Sequence, residues 1–416
     1  MKKNLSLTFI LLVGTVLSSC SIKAKNTNDT KEGAFYTGVY RNLFKEILGK
    51  SDEEINAKVD NAFRQLFYGD NDNQRLYYEV DNDMAYMKDV CNDDVRSEGM
   101  SYGMMICVQL DKKAEFDKLW KWAKTNMQFP ESNPFSGYFA WQCKETGEKI
   151  GGDTTSAAPD GEIYFISSLL FASNRWGDGE GIYNYKAEAQ YILEKILSKD
   201  GTGNAYNMFD SETKLVVFVP DAGGRTFTDP SYNLPAFFEL WAQWSDTNSD
   251  FWATTPAAAR DLLYNASHKT TGLFADYSNF DGTPHKAWFN PPSDRFQLDA
   301  WRCAMNIGMD YHWFKKDAVR QQETMTRLLT FFKSQGPKYV AHYNWDGTKP
   351  NGDHSAGLIA CNAVGCFAID NKELSTPFVQ EFWNLSIPEG FYRYYDGTLY
   401  MLSLLHVTGN FRIWGR

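Results

Sequence analysis

What most limits the fold of this chain is a run of long helical patterns that arrive in pairs and leave almost no room for strands. Apolar residues recur at helical spacing over residues 37–49, 52–67, 98–110, 113–126, 160–175, 183–198, 229–245, 253–267, 296–314, 316–334, 354–369, 373–384 and 396–408. Strand-like alternation is convincing only from Lys214 to Val219 (KLVVFV). This weighs against an alternating βαβ chain. The first helix of each pair opens on a polar residue, in order Glu98, Asp160, Asp229, Asp299, His354 and Asp396, with gaps of 62, 69, 70, 55 and 42 residues. Helix pairs repeated at this interval predict an all-α toroid, an inner ring of helices wrapped by an outer ring. If the inner helices run parallel, those six residues gather at one end. Each acid taken alone is explained equally well as a helix cap or dipole partner, worth about 0.5 to 2 kcal/mol. Asp229 fits that plain role best, because Pro230 follows at the first helical position.

The N-terminus is of a different kind. Met1-Lys2-Lys3 is a positive start, and the apolar run from Leu5 to Leu17 is too short to cross a bilayer as a mature helix. It ends in Leu17-Ser18-Ser19-Cys20, the pattern of a bacterial lipoprotein signal, so residues 1–19 are expected to be removed and Cys20 to carry the lipid. Residues 20–32 are polar and aperiodic, as in a flexible tether. From Gly33 to residue 416 no linker-like stretch interrupts the pattern, which predicts one catalytic-sized domain, expected to be monomeric. The residues after Cys20 lack an acidic run of the sort linked to surface export. The expected location is therefore the periplasmic side of the outer membrane, with the lipid as the only tie to it. Of the cysteines beyond Cys20, Cys107, Cys303, Cys361 and Cys366 sit in apolar helical runs and are expected as free thiols.

A net charge of −10 argues against nucleic acid and anionic membrane surfaces as partners. Aromatic residues make up 16% of the chain, many in polar, loop-like surroundings such as Gly137-Tyr138-Phe139-Ala140-Trp141, and aromatic faces stack on the C–H faces of sugar rings. The six histidines are scattered without metal-ligand spacing, and no phosphate or dinucleotide fingerprint is present, so neither metal nor cofactor is implied.

Two motifs carry chemistry. In Arg96-Ser97-Glu98-Gly99-Met100-Ser101-Tyr102-Gly103, small residues at a helix start let a ligand approach the backbone, and apolar neighbours would keep Glu98 protonated near neutral pH, as a proton donor requires. The same stretch formally matches the G-x-S-x-G elbow of an esterase, with Asp299 and His354 following in triad order. That motif needs a buried strand just before it, and Asp89 to Ser97 (DVCNDDVRS) is polar with no such run. In Asp299-Ala300-Trp301-Arg302 the arginine three residues on is close enough to orient the carboxylate and keep it ionised. One protonated and one ionised carboxyl group across a sugar form the acid/base pair of glycoside hydrolysis.

These two segments, with Ala158-Pro159-Asp160-Gly161-Glu162, Asp229-Pro230-Ser231-Tyr232 and the tail Tyr392 to Tyr400, resemble glycoside hydrolase family 8 from Gly33 to the C-terminus, and within it the reducing-end xylose-releasing exo-oligoxylanases. The resemblance implies an (α/α)6 barrel that hydrolyses β-1,4-xylo-oligosaccharides with inversion. It assigns Glu98 as general acid, Asp299 as general base and Asp160 as the group that holds the distorted sugar. Tyr232 and Arg302 match positions that support the base and its water, and Trp141 the stacking platform on the non-reducing side. The loop Asn351 to Ser355 occupies the place of the wall that makes such enzymes exo-acting, with His354 as a contact for the terminal sugar. It does not reproduce the Leu-His-Pro sequence of that wall, so an endo-acting xylanase or other β-glycanase of the family stays open at this point.

Overall fold

The computed structural model describes residues 31–415. The expected signal peptide, the lipidated Cys20 and most of the tether lie outside the described residues. After two short helices, α1 (Ala34–Thr37) and α2 (Leu43–Leu48), the described chain alternates between two kinds of helix. The outer ones are α3 (Asp52–Tyr68), α5 (Lys113–Trp122), α7 (Tyr185–Lys195), α9 (Ser249–Ala266), α11 (Ala318–Ser334) and α13 (Lys372–Asn384). The inner ones are α4 (Ser97–Gln109), α6 (Pro159–Trp176), α8 (Pro235–Trp244), α10 (Arg302–Trp313), α12 (Ala356–Gly365) and α14 (Arg393–Val407).

Composition explains the division. In α3, a Ser51–Glu54 capping box starts the helix, and Ile55, Val59, Ala62, Phe63 and Leu66 form one buried stripe while the opposite face stays charged. Helix α12 (AGLIACNAVG) has no charged residue and is buried on all sides, as a helix enclosed by others must be. Contacts run from α4 to α6, from α8 to α10, from α10 to α12, from α12 to α14 and back to α4. Between α6 and α8, Tyr164 meets Phe237 edge-on at 5.2 Å and the Trp241 indole donates to Ser167 Oγ at 3.2 Å. This closes an (α/α)6 barrel. Gly308 permits one of the tightest approaches, since a Cβ there would lie 2.3 Å from the Val364 carbonyl oxygen on α12.

The strands are short and lie where the site is built. β1 (Tyr77–Val80), β2 (Met84–Asp89), β3 (Asp94–Arg96) and β4 (Gln142–Cys143) form an antiparallel sheet in that order, and β5 (Arg295–Phe296) pairs with β6 (Tyr343–Asn344). The expected strand from Lys214 to Val219 does not form. Its backbone partners belong to three different segments: Val216 N–H donates to Asn233 Oδ1, Val217 N–H to Met208 O and Phe218 N–H to Phe227 O, so no ladder can develop. Two expected helices are also broken. Asp229 caps a 3-10 turn, Pro230–Tyr232, before Pro235 restarts the chain as α8, and the turn Leu298–Trp301 precedes α10. All six described cysteines are free, five of them buried.

Candidate active site

Four of the six helix-start residues converge on one arginine. Arg302, the first residue of α10, is 2% exposed and donates from Nη1 to Glu98 Oε2 (2.8 Å), Tyr102 OH (2.9 Å) and Asp160 Oδ2 (3.0 Å). Its Nη2 donates to Asp299 Oδ1 (3.0 Å) and lies 3.5 Å from Asp229 Oδ2, and its Nε donates to Ser231 Oγ (3.1 Å). Only a planar fork of five N–H donors can serve so many acceptors in fixed directions. Glu98 Oε2 and Asp299 Oδ1 bond to the two terminal nitrogens of one guanidinium, which are about 2.3 Å apart, so these oxygens lie within roughly 8 Å of each other. That bound admits the lower part of the range, about 6.5 to 9.5 Å, that leaves room for a water beside one of two carboxyl groups.

Exposure separates the roles open to the four acids. The Asp299 and Glu98 side chains are 26% and 15% exposed, while Asp160 is at 7% and Asp229 at 0%. Asp229 is the cap that the sequence indicates, accepting from Ser231 N at 2.7 Å, but its other oxygen belongs to the Arg302 cluster. Burial pushes Glu98 up to about 7. Arg302 opposes the shift, and Asp160 and Asp299 add to it. Burial likewise takes Asp160 up to about 6 against the pull of Arg302. Tyr394 OH donates to Glu98 Oε1 at 3.1 Å, an approach that requires glycine at 99, where a Cβ would fall 2.6 Å from the phenol.

The pairing of β3 with β4 places Trp141 beside the start of α4. Ser97 N–H donates to the Trp141 carbonyl, and the Arg96 guanidinium lies 5.6 Å from the Trp141 ring centre. Trp141, Asp160, Tyr232 and Phe218 line a chamber of about 440 Å³, and Tyr392, Tyr395, Leu298 and Asn290 line a second of about 600 Å³. Both chambers open onto Glu98, Arg96, Tyr277 and Asp299, so the acid pair stands where they meet. Tyr232 packs beneath Arg302, with its ring centre 5.4 Å from the guanidinium.

Two helix-start residues do not join the cluster. Asp396 Oδ1 accepts from Ser355 Oγ (2.6 Å) and Gly357 N (2.8 Å), capping α12. His354 stands apart from the Arg302 cluster: Nδ1 meets the Tyr339 carbonyl at 2.6 Å, Nε2 meets Glu381 at 2.7 Å, and the residue is not among those lining the two chambers. The esterase alternative fails for a reason other than the one expected. Strand β3 does run into α4, but Ser101 is fully buried and donates to the Glu98 carbonyl at 2.9 Å, while His354 bonds to Tyr339 and Glu381. Asp276 escapes sequence reading altogether. It holds the Leu298–Trp301 turn by accepting from Ala300 N (3.1 Å) and Gln297 Nε2 (2.6 Å), yet it sits in an irregular loop with no periodic pattern to mark it.

Residues 86–409 match the model of glycosyl hydrolases family 8. The chain belongs to that family. It is therefore a glycosidase. It is 41% identical over 390 residues to the reducing-end xylose-releasing exo-oligoxylanase Rex8A of Paenibacillus barcinonensis, covering 93% of this chain and 100% of that one. It is also 41% identical to a reducing end xylose-releasing exo-oligoxylanase of Halalkalibacterium halodurans, covering 92% and 97%. A crystal structure of a GH8 xylobiose complex from Teredinibacter turnerae superposes with a TM-score of 0.88 at 44% identity, covering 92% of this chain and 100% of that one.

Proposed function

We propose that this family 8 enzyme hydrolyses β-1,4-xylo-oligosaccharides with inversion and releases xylose from the reducing end. The observation that carries the reading is the shared guanidinium, which brings Glu98 and Asp299 together where two chambers meet, while burial holds a proton on Glu98 up to about 7. In this scheme Glu98 protonates the glycosidic oxygen. Asp299 takes a proton from a water that attacks the opposite face of the sugar. Asp160 holds the distorted ring at the cleavage point, Tyr232 and Arg302 fix the base and its water, and Trp141 stacks on the sugar of the non-reducing side. Exo-action is preferred over endo cleavage because relatives named exo-oligoxylanases are 35–41% identical to this chain, whereas those named endoglucanases C, 2 and A are 27–28% identical.

Xylotriose labelled at its reducing end, followed by NMR, tests this directly. Labelled xylose together with xylobiose born as the α-anomer is the expected result. Retained anomeric configuration would remove the roles given to Glu98 and Asp299, and label appearing in xylobiose would show cleavage of the other bond and overturn release from the reducing end. The reading includes export: signal peptide 1–19 is removed, Cys20 is lipidated, and the monomer faces the periplasm from the outer membrane. Cys20→Ser is expected to move the protein from the membrane to the soluble envelope fraction.

A further inference from the structure

Eight large hydrophobic side chains are exposed among the described residues, and five of them, Trp288, Phe289, Leu298, Phe391 and Tyr392, lie at the cleft or in ring contact with a residue that lines it. Such a concentration on one rim marks a contact surface rather than scatter. Trp288 is the extreme case at 91% exposed. It buries almost nothing, so folding gains little from it. The turn that carries it is nevertheless firmly held. Ala287 and Asn290 bridge across it, Ala287 N–H donates to Ser293 Oγ at 2.9 Å, and Asn290 Nδ2 donates to Tyr277 OH at 3.3 Å.

A ladder of rings connects this turn to the reaction centre. The Arg302 guanidinium lies over Tyr232. The Tyr232 ring faces Phe218 at 6.3 Å with planes 7° apart, Phe218 stacks with Phe289 at 5.7 Å, and Phe289 meets Trp288 edge-on at 5.6 Å. Tyr232, Phe218 and Phe289 all line the chamber that contains Trp141, so Trp288 stands at the outer end of that chamber's aromatic wall.

We propose that Trp288 is an outer sugar-binding platform on the non-reducing side, which takes a xylose unit of chains too long for the Trp141 chamber alone and gives the enzyme a preference for longer substrates. This rests on the reading of the cleft as a xylo-oligosaccharide site. Exposure rises along the ladder, from Tyr232 at 6% through Phe289 at 48% to Trp288 at 91%, so the outermost ring offers the most open face. A pre-positioned aromatic gains stacking energy with little ordering cost.

Calorimetric titration of the Glu98→Gln chain with xylotriose and xylohexaose tests the inference. Adding Trp288→Ala is expected to weaken xylohexaose binding about five- to tenfold, the scale of one lost ring contact, and xylotriose binding less than twofold. Trp288→Phe, which keeps a ring, is expected to retain most of the hexaose affinity. An unchanged hexaose affinity, or equal losses for both sugars, overturns the proposal while leaving the cleft reading intact. If the Glu98→Gln chain binds neither sugar, the cleft reading fails and takes this inference with it. A melting temperature unchanged by Trp288→Ala confirms that binding alone is being read.

Discussion

Replacing Arg302 by Met probes the electrostatic centre of the site. Methionine fills a similar length but offers none of the donors that reach Glu98, Asp160, Asp299, Ser231 and Tyr102 at 2.8 to 3.1 Å. Removing one partner of a buried ion pair costs about 3 to 5 kcal/mol. Here part of that cost is relieved by protonation. Burial already lifts Glu98 to about 7 and Asp160 to about 6 against an opposing Arg302, so both rise further without it. An acid whose folded value stands above its unfolded value binds its proton more tightly in the folded protein, so stability falls as pH rises through the window between the two values. Loss of the guanidinium extends that window upward. Urea unfolding is therefore expected to place Arg302→Met about 3 kcal/mol below the parent at pH 8 and only about 1 kcal/mol below it at pH 5, where the parent's Glu98 and Asp160 already carry protons. On xylotriose, kcat/KM is expected to fall at least about 100-fold, because Asp299 loses the bond that aims it. The alkaline limb of the surviving activity should move to higher pH. An equal stability loss at pH 5 and pH 8, with the alkaline limb unmoved, would show that Arg302 acts by packing alone and would refute the electrostatic argument.

The parent's kcat/KM should lose activity as pH rises through about 7, where Glu98 gives up its proton, and Glu98→Gln should abolish that limb and lower kcat by about 10²- to 10⁴-fold. Tyr394→Phe removes a donor that favours the ionised Glu98, so the limb is expected to move up by a few tenths of a pH unit or more in a pH–rate profile. Glu162 is fully buried, with one oxygen bonded to Phe139 N–H and the other unpartnered, and burial pushes it up to about 8. Stability should therefore fall as pH rises from about 4.5 to about 8, and Glu162→Gln should melt higher than the parent at pH 8.5 and close to it at pH 4.5. His354 is raised by its bond to Glu381, so its contribution is full below its unfolded value and lost as pH rises through its folded one. His354→Ala should cost about 1 to 2 kcal/mol at pH 6 and less at pH 9, with KM for xylotriose changed less than twofold.

Periodic features of the chain were readable, and features that depend on where a loop returns were not. The helix pairs recur at intervals of 42 to 70 residues, which predicts the double ring, and the uncharged α12 against α3, with 6 charged residues in 17, shows how inner and outer helices then differ. Glu98 and Asp160 stand out because each is an acid in the first turn of an apolar helix, and Asp299 because Arg302 follows it three residues on. Helix-start position misleads at His354 and Asp396. Both open helices on the same end of the barrel, but Glu381 on α13 captures the histidine and the start of α12 captures the aspartate. Position at a helix start brings a side chain to the right rim, and its nearest partner then decides whether it faces the cleft. Asp276 shows the converse. It is a buried acid in an irregular loop, visible only once the Leu298–Trp301 turn has folded back onto it. Lys214 to Val219 fails as a strand for a related reason: alternation records which side chains are buried, whereas a ladder needs one continuous neighbour, and here the backbone is shared among three. Chemistry on this scaffold therefore lies in two kinds of residue. Helix starts supply the candidate acids and Arg302, which local pattern reveals, and a returning loop supplies Asp276, which holds the Leu298–Trp301 turn and which only the closed barrel reveals.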